Sequence, residues 1–392
     1  MSLNLDKSSW RRVRLGDVAA ASKEKVDPGD GSVDRYIAGE HMDTDDLKLH
    51  RWGDPDEVDL GPAFHRRFRP GQVLYGSRRT YLRKVAVAEF DGVCANTTFV
   101  VETSAADVLA QEFLPFIMTS EPFHAFAIAE SKGSVNPYVN WSDIARYEFD
   151  LPPLDAQKRI TDVLWTVELA SRAQQERRLA LSVARQVWLD GLIADFVAAK
   201  HISFSETWTR SPESGHSAAP VDETTGRYVL SLAALGPEGY RPGNLKNVRD
   251  TPQIRSAVLR RGDLLVSRAN TVDAVGRVGI FSEDRDDISF PDTMMRLSIR
   301  DDIIPAFAAT VIGSAHGRAH MRRSAAGSAT SMVKINRTSL GRLPFPVTAR
   351  KNQESLLADL SRLDEAVAAS TCEADQLSAL RSALTAEAFG GN

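Results

Sequence analysis

Two cysteines, Cys94 and Cys372, are all that 392 residues contain, and they stand far apart in unrelated contexts. Such a pair offers neither a disulfide framework nor a cluster of thiolate ligands, which fits a reducing compartment. No apolar run approaches the roughly 20 residues that cross a bilayer, so no membrane partner is expected. The first residues, MSLNLDKSSWRRVRLGD, lack the apolar centre of a secretory signal, and the expected location is the cytoplasm. A Gly-x-x-x-x-Gly-Lys-Ser/Thr loop is missing, which argues against a translocating ATPase. The glycines of AVGRVG (Ala274–Gly279) are in the wrong order for a dinucleotide fingerprint. His316 and His320, four apart, could share a helix face, but no third ligand accompanies them and no metal site is expected.

Net positive charge is lacking too: the formal balance is −4. Residues 1–154 carry 18 basic and 24 acidic side chains, or −6, whereas residues 201–347 carry 19 and 15, or +4. Binding depends on where charges cluster rather than on their sum. His65 to Lys84, HRRFRPGQVLYGSRRTYLRK, holds seven Arg or Lys and no acid; His316 to Arg337 holds five and no acid. The acids of the first half concentrate between Glu40 and Asp59.

What the chain does have is an internal duplication offset by about 190–196 residues, the kind of signal that precedes any other reading. Arg35-Tyr36-Ile37 matches Arg227-Tyr228-Val229. RPGQVLYGSRRT (Arg69–Thr80) matches RRGDLLVSRANT (Arg260–Thr271), with a one-residue slip near Gly76. Lys132–Ser134 matches Ala326–Ser328, VNWSDIARYEFDLP (Val139–Pro152) matches INRTSLGRLPFPV (Ile335–Val347), and Gln157 matches Gln353. Within each copy, short apolar runs punctuated by Gly, Pro and Asp read as strands. FLPFIMTSEPFHAFAIAES and IPAFAATVIGSAHGRAHMRR read as helices beside them. The expected class is α+β. Two such α+β domains are expected over 1–152 and 201–347, followed by long helices over 153–200 and 348–392.

The second helix repeats apolar residues every three or four positions: Leu356, Leu360, Leu363, Val367, Ala374, Leu377, Leu384 and Ala388. The first carries Ile160, Leu164, Val167, Leu181, Trp188 and Leu192, with Gln174 and Arg178 between. These are heptad seams. A 40-residue helix extends about 60 Å, more than a compact domain needs, so the two helices are expected to pair with each other as a rigid spacer. Two similar domains at a fixed separation suit a ligand offering two sites at a set spacing, as DNA does. Arg and Lys would neutralise phosphates while Arg, Asn and Ser read base edges. The expected contacts are Arg66, Arg67, Arg78, Arg79, Lys84, Lys132 and Ser134 in the first copy. Arg268, Asn270, Arg322, Arg323, Ser328 and Lys334 are those of the second.

LPPLDAQKRI opening a long helix after NWSDI, the WRRVRLGDVA start, the RYI…GEHM stretch and the G-Q/D-hydrophobic-L…SR segment together resemble the specificity subunits of type I restriction-modification systems. The resemblance covers nearly the whole chain, including its tandem layout. The second half departs from it, with LPFPVTARKNQE in place of LPPL and no clear counterpart of the WRRVRLGDVA start. It implies target recognition domains that each read one half of a split double-stranded DNA sequence, and long helices that form an antiparallel coiled coil. It further implies two methyltransferase subunits and motor-nuclease restriction subunits as partners, which would carry S-adenosylmethionine, ATP and magnesium. This chain would then be non-catalytic and bind no cofactor itself.

Two other readings stay open on the residues alone. Glu130-Ser131-Lys132 fits half of a nuclease metal site, though without a persuasive partner aspartate, so a divergent metal-dependent nuclease is one. Asn136-Pro137-Tyr138 is one proline short of the base-holding loop of amino-methyltransferases and lacks a glycine-rich cofactor loop upstream. A scaffold that uses the helices to join proteins without DNA is the other.

Overall fold

The computed structural model describes residues 3–326 and 332–390. They form two compact units, residues 1–176 with 371–392, and residues 177–370. The class is mixed α and β, as expected.

In the first unit, the run Val73-Leu74-Tyr75 is apolar at every position because the strand is covered on both faces. It lies inside a four-stranded antiparallel sheet ordered Ala19–Ala21, Thr98–Thr103, Val73–Gly76, Val85–Val87. Val73, Tyr75, Phe99 and Val101 face the helices and share a core with Phe113, Phe123 and Ile144. Leu74, Ala86 and Val100 face the other way, toward Ile37, Phe68 and Cys94 of a smaller sheet. Cys94 is fully buried, and that burial pushes its thiol up to about 12, whereas Cys372 is exposed.

The second unit follows the same plan. Its four-stranded sheet runs Trp208–Ser214, Met294–Ile299, Leu264–Ser267, Val278–Ile280. Leu264 and Val266 point to the helices, while Leu265 packs with Phe281, Ile288 and Phe290 on the far side. RPGQ and RRGD, matched in sequence, are the same turn. Gln72 N–H donates to the Arg69 carbonyl (3.2 Å) and Asp263 N–H to that of Arg260 (2.9 Å), with Gly71 and Gly262 at φ +87° and +94°. A type II turn needs positive φ at that position, which is why glycine occupies it.

The two apolar stretches read as single helices are each broken in two. Glu121–Ala129 follows Leu114–Met118, and Ala315–Ser324 follows Pro305–Gly313. Ser120 and Ser314 cause the breaks: each hydroxyl caps the next helix, accepting from Phe123 N and Gly317 N. Each also donates to a carbonyl of the previous helix (2.7 Å).

The long helices run Leu154–Ala199 and Arg350–Phe389. Within the first unit, Ile160, Leu164 and Val167 share a core with Leu384 and Ala388, and Gln174 donates to Glu373 (2.5 Å). Within the second, Leu189 and Ile193 pack with Leu356 and Leu360, and Arg185 pairs with Asp364. In both, rising numbers on one helix meet falling numbers on the other, so the pairing is antiparallel.

Gln157 and Gln353 turn out to be matching clamps. Buried Gln157 accepts from Ala110 N (2.9 Å) and donates to the Val108 and Pro152 carbonyls (2.8 Å each). Buried Gln353 accepts from Ile304 N (2.9 Å) and donates to Asp302 and Thr348 carbonyls (3.0 and 3.2 Å). Each ties the start of a long helix to the loop that leaves its sheet. Gln353→Ala strands a backbone amide and two carbonyls, and is expected to destabilise the second unit by about 1–3 kcal/mol. Urea unfolding followed by hydrogen exchange should show the loss in residues 177–370 and spare the first unit.

His124 gives a second expectation. Its ring is 1% exposed, Nε2 has no hydrogen-bond partner, and the nearest carboxylate, that of Asp45, is 3.8 Å away. Burial, with help from Arg83, lowers its pKa to about 4. Below the ordinary value the unfolded chain takes up a proton that the folded unit refuses, so stability falls as pH falls. Between pH 7 and pH 5 the loss is about 2 kcal/mol. His124→Gln should remove that part of the acid sensitivity, measured as the urea midpoint at each pH.

Candidate nucleic-acid interface

After its central strand the first unit builds a small outward-facing assembly. Ser77 ends the strand with its hydroxyl donating to the Thr97 carbonyl (2.7 Å), and both it and Thr80 are buried. The chain then meets residues 132–138, a hairpin in which Lys132 and Tyr138 exchange backbone hydrogen bonds (2.8 and 2.9 Å). Gly133, at φ +92°, lets it turn. Arg78 bridges Tyr138, and Val139 N–H donates to the Ser77 carbonyl (3.0 Å). Arg79 locks the two segments together. Its backbone sits at φ +51°, its N–H donates to the Pro137 carbonyl (2.6 Å), and its Nε donates to Asn136 Oδ1 (3.0 Å). Arg78, Arg79, Lys132 and Ser134 are all exposed around this hairpin. Lys132 Nζ lies 2.8 Å from Asp143 and holds that carboxyl below the usual carboxylate range.

The second unit repeats the construction. From Leu264–Ser267 the chain passes to Ala269–Asn270, which pairs with Val333–Lys334. Lys334 and Ala326 exchange backbone hydrogen bonds (3.0 Å each), and Ile335 N–H donates to the Arg268 carbonyl (2.9 Å). In both units the returning arm runs straight into an asparagine-capped helix, Asn140 before Trp141–Ile144 and Asn336 before Arg337–Gly341. Lys334, Arg322 and Arg323 are exposed, while Arg268 and Asn270 are half-buried. Asn270 is held by Ser267 and accepts from Thr271 N (3.4 and 2.9 Å). Arg322 comes within 3.7 Å of Asp273. Ser328 lies outside the described residues.

Not every basic residue of the first run reaches this surface. Arg66 folds onto its own domain, donating to the Thr98 carbonyl (2.8 Å) over the Phe99 ring, and its desolvation lowers its pKa. Arg67 is bidentate on Asp91 (3.1 and 2.7 Å). Lys84 caps the Gly39 carbonyl. Conversely, Tyr81, Val135 and Tyr138, exposed about the hairpin, carry no signal in the residue order. Nor does Arg318, whose guanidinium props the Asp273 and Val275 carbonyls (2.9 and 2.5 Å). Only a feature set by non-local pairing distinguishes these residues.

At Glu130-Ser131-Lys132 the neighbouring carboxylates are engaged by cations. Asp143 does approach Lys132, but Arg146 spans Glu130 and Asp143, filling the space between the carboxylates. His316 and His320 each bond a carbonyl, of Pro344 and Ser339 (2.9 and 2.8 Å). Among the described residues no group of three His, Cys, Asp or Glu could hold a metal ion, and no helix is long and apolar enough to cross a membrane. What the two surfaces offer is a rigid, hydrogen-bonded frame presenting cations and amide or hydroxyl groups outward.

No family model matches the chain. A stretch of 153 residues, 39% of the chain, is 26% identical to the type I restriction enzyme EcoDI specificity subunit of Escherichia coli, and spans 33% of that relative's length. The whole chain also has the fold of solved structures. One, described under complex assembly and conformational transition of the type I R-M system, matches at TM-score 0.61 with 19% identity, covering 98% of each chain. The S subunit of a type I restriction-modification system from M. genitalium matches at 0.54 with 12% identity, covering 100% of both. The resemblance to specificity subunits therefore holds in one stretch of sequence and in the fold of the whole chain.

Proposed function

We propose that this chain reads a split double-stranded DNA target, one unit per half-site, as the specificity subunit of a type I restriction-modification complex. The observation that carries this reading is the matched pair of surfaces. Each unit takes the chain from the same edge of its central strand, pairs it with a returning arm, and presents exposed cations there. One such surface is a solvated charge patch; two built alike in one chain suit a ligand with two like sites. Arg78, Arg79, Lys132 and Ser134 contact one half-site, and Arg268, Asn270, Arg322, Arg323 and Lys334 the other. Arg66, Arg67 and Lys84 act indirectly, by holding the frame.

The chain itself has no catalytic role in this reading. Two methyltransferase subunits and the motor-nuclease subunits supply methylation and cleavage, with S-adenosylmethionine, ATP and magnesium. Leu179, Val183 and Val187, 54%, 62% and 67% exposed and four residues apart along one face of the first long helix, offer those partners an apolar stripe.

The test is selection from a randomised duplex library by the chain co-expressed with its methyltransferase subunit. Two short motifs at one fixed spacing are the expected result. An intact complex that enriches nothing would overturn the reading in favour of a protein scaffold.

A further inference from the structure

The tip of the hairpin in the first unit carries a side chain that its neighbours do not explain. Val135 is 84% exposed, the most exposed large apolar residue among those described, and it stands at the apex between Ser134 and Asn136. Solvent gains nothing from it, and no core needs it. Its setting is nonetheless rigid. The Lys132 and Tyr138 backbone bonds close the arms, Pro137 stiffens one of them, and Arg79 pins both Asn136 and the Pro137 carbonyl. Such fixing lowers the entropy lost when a tip is ordered against a ligand. Cationic Arg78, Arg79 and Lys132 surround the base of the same hairpin.

We propose that this hairpin enters the major groove and that Val135 packs on the 5-methyl group of a thymine, making Val135 a specificity-determining residue of the first unit. The inference rests on the DNA-reading function proposed above. The width of the element selects the groove. The loop's two arms, closed by the single Lys132–Tyr138 backbone pair and carrying side chains on both sides, fit the roughly 12 Å major groove and not the roughly 6 Å minor groove. The size of the side chain selects the contact: valine is too short to wedge a base step open, but its branched end matches a methyl group in shape and polarity. Among the base pairs, only those with thymine present a methyl group in that groove.

The experiment uses the full chain with its methyltransferase subunit and the selected duplex. The first unit's half-site is identified as the motif that the Arg78→Ala variant no longer selects. Each thymine of that half-site is then replaced in turn by deoxyuridine, which removes only the methyl group. At one position the wild-type complex should bind roughly 3- to 10-fold more weakly, the worth of one buried methyl contact. Val135→Ala should weaken binding to the thymine duplex by the same factor and be indifferent to deoxyuridine there. Its exposure means the substitution leaves folding intact, which thermal unfolding verifies. Selective binding with no deoxyuridine effect at any position, a half-site without thymine, or a Val135→Ala variant with wild-type affinity would each overturn the thymine contact while leaving the DNA reader standing. Absence of any selected motif would overturn both.

Discussion

Replacing Arg78 and Lys132 together by alanine should lower the affinity of the assembled complex for its target roughly 10²- to 10³-fold, the effect of removing one or two good base or phosphate interactions. Both side chains are exposed beside the hairpin of the first unit, and among the described residues no hydrogen bond or ion pair engages the guanidinium of Arg78. The Arg78→Ala change alone therefore leaves the thermal midpoint unmoved. Lys132 pairs with the buried carboxylate of Asp143, which keeps Arg146 and Asn140 as partners when Lys132 is removed; thermal unfolding of Lys132→Ala alone measures what that pair contributes to folding. Weaker binding with intact folding is the signature of an interface residue. The salt dependence should change with it, the slope of log K against log salt falling by about one for each phosphate that is no longer neutralised. Arg67→Ala is the contrasting case. Its guanidinium is bidentate on Asp91, so the variant should lose stability and keep its salt slope. A double variant with affinity within twofold of wild type would move the DNA face elsewhere on the unit.

Glu168→Ala should destabilise the first unit by about 3–5 kcal/mol. The Glu168 side chain is 4% exposed, and its two oxygens are divided between Arg172 Nε on its own helix and Arg381 Nη1 on the second long helix, each at 3.0 Å. Arg381 continues to the Asp45 carbonyl (3.3 Å), and Arg172 lies 3.8 Å from Asp46. Removing the carboxylate leaves two guanidinium groups facing one another in a poorly solvated place, with their best acceptor gone. Double removal is informative here. Glu168→Ala with Arg381→Ala should recover part of the loss, because the stranded charge disappears with its partner. Urea unfolding read by probes in residues 1–176 and 371–392 would measure both. A loss under 1 kcal/mol for the single variant would show that the helix pair is held by its apolar seam alone.

The parts legible from residue order were those governed by local periodicity and by matched pairs. Every seam position read on the second helix, from Leu356 to Ala388, is turned at least partly away from solvent, because heptad spacing alone decides which side of a helix is covered. Gln157 and Gln353 stood out as a pair before their roles could be known; that both clamp a helix start to a loop explains why the same residue recurs. The breaks at Ser120 and Ser314 left a trace in the sequence, Pro122 just inside the second helix of one pair and Gly313 at the end of the first helix of the other, but that one serine hydroxyl caps one helix and closes the other shows only in the fold. The charge clusters misled more seriously. Arginines share one symbol whether they face solvent, as Arg78 does, or span a backbone carbonyl and a ring, as Arg66 does. The partners that hold Arg66, Arg67 and Lys84, namely Thr98, Asp91 and Gly39, come from strands and loops distant in sequence. The hairpin at 132–138 was hidden for the same reason, since Arg79 and Asn136 are 57 positions apart.

The central claim, that one chain reads two half-sites through its two units, is tested most directly by hydroxyl-radical footprinting of the selected duplex bound to the complex. The expected result is two protected patches separated by an accessible gap, one of which disappears when Arg78 and Lys132 are replaced while the other stays. A single continuous patch, or both patches vanishing together with the protein still bound, would contradict it.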